Sequence, residues 1–202
     1  DHHWSAQMGK NTLHGMSGKY FVETLNTIAK AEGNFDWHVA FHPYPENLFN
    51  PRTWEDTAAT PSFDAAKITF KNIEMLPAFL RQERFLHNGK ARRVILSEQG
   101  FHSADGKNGE RDQAAAYAYS YYRVQQTEGI DAFILHRHVD HPGEGGLRLG
   151  LRSSLDGGVR PIYDVFRQAD TAAWAEAFKF ALPVIGVKSW ADTLSSNPPK
   201  VE

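Results

Sequence analysis

Apolar residues recur along this chain in two alternating periods. From Gly18 to Glu32, the residues Phe21, Val22, Leu25, Ile28 and Ala29 fall on one helical face, and Gly33-Asn34 stops the run. Residues 37–41 then read as a strand, closed by His42-Pro43-Tyr44-Pro45. After a long loop over 46–63, the spacing of Ile68, Ile73, Leu76, Leu80 and Phe85 predicts a helix from about Asp64 to Leu86, with Pro77 as its kink or break. Val94-Ile95-Leu96 predicts a strand apolar on both faces, as in a parallel sheet. A helix is expected over about 111–128, a second buried strand over 131–136, a Gly-rich loop over 142–158 and helices over 161–169 and 172–182.

Strands that alternate with helices imply an α/β fold with a parallel sheet. An open doubly wound nucleotide-binding sheet is the less favoured architecture, because neither a G-x-G-x-x-G nor a Walker lysine motif occurs. The polar residues gather at one end of the expected strands: His42 and Tyr44, then Glu98 and Gln99, then His136, His138 and Asp140. In a (β/α)8 barrel that end carries the chemistry. On a regular strand Glu98 shares its side with Leu96 and Val94, His42 with Ala40 and Tyr44, and His136 with Ile134 and His138. Arg137 then faces outward and requires an acidic partner.

Composition narrows the function. The chain has 202 residues and a net charge of −2, which gives no electrostatic case for nucleic acid or an anionic membrane. No apolar run approaches the ~18 residues of a membrane-spanning helix. Cysteine is absent, which excludes disulfides, thiolate metal sites and thiol catalysis. No G-x-S-x-G elbow supports a serine hydrolase. The tyrosine-rich stretch 117–122 reads as helix packing, since its rings point around most of a helix. Trp4 and Trp54 are suited equally to sugar stacking and to loop packing.

The strand ends resemble a known group. Val94-Ile95-Leu96-Ser97-Glu98-Gln99-Gly100 is similar to the seventh strand of clan A glycoside hydrolases. Ala40-Phe41-His42-Pro43-Tyr44-Pro45 resembles their sixth strand, and Phe133-Ile134-Leu135-His136, with Gly150-Leu151 downstream, their eighth. The pattern, over roughly residues 1–165, is also similar to an uncharacterised bacterial family of glycosidase-like proteins. The resemblance implies the C-terminal part, about strands 5/6 to 8, of a (β/α)8 TIM barrel over residues 1–187, followed by a tail over 188–202.

It further implies a retaining mechanism with Glu98 as nucleophile, a carbohydrate substrate and no cofactor or metal. His3 and Trp4 would lie at the exit of the fifth strand. With His42, Tyr44, Gln99, His136 and His138, they would contact the sugar or hold Glu98. The clan's eighth strand usually ends in Trp where this chain has His136, so a stacking role is not implied there. The clan's acid/base Glu follows Asn, and no Asn-Glu pair occurs here. The acid/base would therefore come from a missing N-terminal barrel half, in the same protein or another chain. Two alternatives remain open: a metal-dependent barrel hydrolase using His136, His138 and His141, and a non-catalytic carbohydrate-binding barrel.

Overall fold

The computed structural model describes residues 2–5, 15–106 and 108–194. Its centre is an open parallel sheet of three strands in the order β1 (Val39–Phe41), β2 (Val94–Gln99), β3 (Ile130–Leu135). The sheet does not close, so the protein is a small α/β domain and not part of a (β/α)8 barrel. The alternation of strands and helices is common to every parallel α/β sheet. It carries no information about closure, which depends on strand number and tilt.

The helices explain one face of the sheet. Val94 and Leu96 are fully buried in the core that the sheet shares with α3 (Gly109–Gln125) and the segment 68–80, with Phe41 beside Leu96 and Phe133 on its other flank. α3 is the hub of the fold. Ala114, Ala115, Ala116 and Ala118 are small enough for close approach, and Tyr117, Tyr119 and Tyr121 fill the space between sheet and outer helices. The tyrosines therefore pack the core, as their all-round distribution predicts. α4 (Pro161–Gln168) begins at the expected proline and rests on α3. The opposite face of the sheet carries Ala40, Ile95 and Ile134 and is open, with Ile134 53% exposed.

α1 (Gly18–Ala31) forms where its apolar stripe predicts, with Ser17 accepting from the Tyr20 amide as N-cap. The long helix expected over 64–86 is absent. Only α2 (Met75–Leu80) and two short 3-10 turns form there. Pro77 lies in the first turn of α2, where its missing N–H costs nothing. The segment is buried almost throughout, and its apolar spacing serves loop packing instead of one helical face. The run over 172–182 likewise breaks into α5 (Trp174–Ala177) and α6 (Ala181–Ile185). A 3-10 turn at Trp190–Thr193 packs on α3, where Arg123 donates to the Thr193 carbonyl at 2.6 Å. The Pro- and Ser-rich residues 195–202 lie outside the described residues.

Two devices set the sheet for its site. At its N-terminal end the buried Arg92 guanidinium donates to the Phe85 carbonyl at 2.9 Å, to Asn34 Oδ1 at 3.0 Å and to Asp36 Oδ1 at 2.9 Å. At its C-terminal end, Gly100 lets β2 run directly under the chain leaving β3. A Cβ at residue 100 would lie 2.1 Å from the His136 carbonyl oxygen. Gly100→Ala must therefore push His136 away. Overpacking of this kind costs about 1–3 kcal/mol. A urea titration should show that loss with an unchanged m-value, and an unchanged midpoint would contradict the close approach.

Candidate active site

The site begins with an irregularity in β2. Leu96 pairs with Phe133 and Gln99 with Leu135, so β2 takes three steps where β3 takes two. The extra residue is a β-bulge at Ser97–Glu98. Bulges bend a strand and re-aim its side chains. Glu98 is consequently not on the side of Val94 and Leu96, as strict alternation predicts. Those two residues face the helices, whereas Ser97 and Glu98 are both half-buried beside the open face.

The end of β1 supplies the partners. The Tyr44 hydroxyl donates to Glu98 Oε1 at 3.0 Å. Burial, together with that bond to Glu98, pushes the Tyr44 phenol far above its usual range, so it remains a neutral donor. His42 Nε2 and Ser97 Oγ share a hydrogen bond of 3.1 Å. Burial lowers the His42 imidazole below its ordinary value, and the Glu98 carboxylate only partly offsets this. His42 is thus a neutral strut at pH 7. Glu98 Oε2 takes no hydrogen bond among the described residues.

β3 and the Gly-rich loop form the other wall. His136 Nε2 lies 3.1 Å from Glu144 Oε1, and Arg137 Nη1 donates to the same oxygen at 2.6 Å. Burial alone would raise Glu144. The bonds from His136 and Arg137 outweigh it and hold this carboxyl below the usual range. Glu144 is the acidic partner that Arg137 required. The base of the loop is fixed by Asp140. It accepts the Gly150 amide at 2.7 Å and both ends of the Arg160 guanidinium, at 2.9 and 2.6 Å.

The other sequence-predicted residues fall elsewhere. Trp4 is buried in the core at 1% exposure, edge-on to Phe79, with its indole N–H on the Phe63 carbonyl. Its ring packs into the core and offers no open face to a sugar. Trp54 packs partly buried against Tyr119. Gln99 is fully buried on the helix side, where its amide donates to the carbonyls of Leu96 and Ile134 and braces the bulge. Its role is support of the strand, not sugar contact. His3 lines an apolar hollow beside α1 with Trp4, Phe21, Trp37 and Phe41. Its imidazole is lowered by burial and by Lys67.

His138 is exposed and lines a separate hollow with Leu135, Tyr163 and Phe166, so it does not share the face of His136. His141 Nδ1 accepts the Gly143 amide. The three histidines therefore do not converge, and among the described residues no three His, Cys, Asp or Glu side chains are grouped to hold a metal ion. Sequence reasoning overlooked Ser97 and Glu144. The one available signal for Glu144 was its position between Gly143 and Gly145 in the loop after β3.

Residues 1–193 match a family model described as "Family of unknown function (DUF5722)". No curated protein and no solved structure matches the chain. Among the described residues no helix is long and apolar enough to cross a membrane.

Proposed function

The chain belongs to the DUF5722 family, and from the geometry around Glu98 we propose that it is a retaining glycoside hydrolase, or the part of one that carries the nucleophile. The observation that supports this reading is the bulge-presented Glu98 carboxylate, with one oxygen held by Tyr44 at 3.0 Å and the other unbonded among the described residues. The resemblance to the clan A nucleophile strand is confined to residues 94–100, since the sheet around them is open.

In this reading Glu98 Oε2 attacks the anomeric carbon of a glycoside and forms a glycosyl ester. Water then releases the sugar with its original configuration. Tyr44 donates to the carboxylate that leaves in the second step and so favours its departure. His42 and Ser97 hold the strand end against which the sugar lies. His136, oriented by Glu144, lines the sugar subsite.

The second carboxyl of such a pair must donate a proton to the leaving oxygen, at about 5–5.5 Å from the nucleophile. Glu144 and Asp140 are unsuited to that role. In each, cationic and hydrogen-bonding partners overcome burial and hold the carboxyl below its ordinary value. In this reading neither serves as the acid/base, and that role falls to another carboxyl group.

A panel of 2,4-dinitrophenyl glycosides tests the reading, because that leaving group departs without a proton and Glu98 suffices for the first step. We expect at least one sugar to release dinitrophenolate, with NMR showing retained configuration in the released product. Inverted product would refute a covalent Glu98 intermediate. Tyr44→Phe keeps the ring and removes the donor. A hydrogen bond to a charged group contributes about 1.5–3 kcal/mol, so kcat/KM on the responding glycoside should fall roughly 10- to 150-fold. An unchanged value would show that the Tyr44 bond plays no part in the reaction.

A further inference from the structure

The far end of the sheet holds a chain of groups that the glycosidase reading does not use. Residues 87–90 form a tight turn, with His87 and Lys90 exchanging backbone hydrogen bonds of 2.9 Å in both directions. Its two central residues are Asn88 at φ 50 and Gly89 at φ 74, the left-handed pair that such a turn requires. The side chain of Asn88 bends back, and its amide nitrogen lies 3.3 Å from His87 Nε2. The other ring nitrogen, Nδ1, is 3.2 Å from Asp36 Oδ1. Asp36 is in turn held by the buried Arg92. A carboxylate, an imidazole and a primary amide are thus in line, and the amide is followed by a residue with no side chain to shield its backbone nitrogen.

We propose that Asn88 is a site of self-deamidation, assisted by the Asp36–His87 pair. The Gly89 backbone nitrogen bonds to Asn88 Cγ, and the Cγ–Nδ2 bond breaks. Nδ2 leaves as ammonia with a proton from His87 Nε2, the Gly89 nitrogen gives up its proton to solvent, and solvent returns one proton to His87 Nε2. Water then opens the cyclic imide at either of its carbonyls, leaving Asp or an isoaspartyl linkage at residue 88. Asp36 orients the ring from behind, as a carboxylate behind a general acid does. The product is a new carboxylate in a hollow that already holds Asp36, His38, Lys90 and Arg93.

The chain contains an internal control. Its second Asn-Gly pair, Asn108-Gly109, begins α3. Gly109 is buried, its N–H is bonded to the Gly106 carbonyl at 3.4 Å, and a Cβ there would lie 1.8 Å from the Ala104 carbonyl oxygen. Its nitrogen has no room to swing onto Asn108, and among the described residues no imidazole is bonded to it.

Trypsin separates the two pairs, on peptides 85–90 and 108–111. The native protein is aged at neutral pH, a second sample is aged in denaturant, and the peptides are resolved by mass and by isoaspartyl content. In the native protein Asn88 should convert about tenfold or more faster than Asn108, and His87→Ala should remove most of that excess. In denaturant the two rates should converge. If Asn88 is no faster than Asn108 in the native protein, or if a folded His87→Ala retains the full rate, the proposal is overturned. If His87→Ala does not fold, the wild-type comparison decides: Asn88 converting more slowly in the native than in the denatured chain overturns the proposal, and faster conversion supports it.

Discussion

Glu98→Gln should abolish turnover of an unactivated glycoside while leaving sugar binding largely intact. The amide preserves the shape of the side chain and can still accept from Tyr44, but it has no negative charge with which to form the ester. A loss of about three decades or more in kcat corresponds to roughly 4 kcal/mol of transition-state stabilisation. Binding measured by calorimetry should change far less, because the contacts with the sugar are otherwise retained. Glu98→Ala or Glu98→Gly opens space on the attacking face. Azide should enter it, restore part of the rate and give an azide adduct of inverted configuration. If Glu98→Gln kept near wild-type rates, the carboxylate would not be the nucleophile.

The largest effect on stability should come from Asp140→Ala. Arg160 is 6% exposed and is neutralised chiefly through two bonds to Asp140. Removing one member of a buried pair strands the other, at a cost of about 3–5 kcal/mol. For a chain of this length each kcal/mol lowers Tm by roughly 2–4 °C, so the variant should melt about 6–20 °C lower in calorimetry. The same change frees the Gly150 amide, and with it the base of the loop that carries Glu144. The pair also has a pH signature. The folded pKa of Asp140 is depressed, so its contribution is complete above the unfolded value near 3.9 and is lost as pH falls through the folded value. A Tm difference between wild type and Asp140→Ala that persisted undiminished at lower pH would contradict this account.

What the sequence revealed and what it concealed divide along the range of the interactions concerned. Strand β2 was legible because Val94-Ile95-Leu96 has few other uses, and Glu98 stood out as an acid at the end of an apolar run. α1 and α3 were legible from their spacing within one segment. The direction of Glu98 was not. It depends on the pairing of Ser97–Glu98 against β3, about thirty-five residues away, where one residue too many bulges outward. The long helix over 64–86 failed for a related reason, since a spacing of three and four is also what buried irregular chain can show.

Trp4 is suited in sequence equally to sugar stacking and to loop packing, because an aromatic face serves both. Its indole is instead enclosed by Phe63 and Phe79, contacts no local pattern displays. Closure of the sheet was the least legible property, because three strands and their helices read alike in an open sheet and in a barrel.

The central claim is that Glu98 forms a covalent bond to the sugar, and trapping that bond tests it most directly. The protein is incubated with the 2-deoxy-2-fluoro analogue of whichever glycoside responds, which slows release of the ester more than its formation. It is then digested, and the tryptic peptide 94–107 is sequenced by mass spectrometry. The account predicts one added fluorosugar on that peptide, located at Glu98 and absent from Glu98→Gln. A stoichiometric label on any other residue, or an equal label in Glu98→Gln, would contradict it.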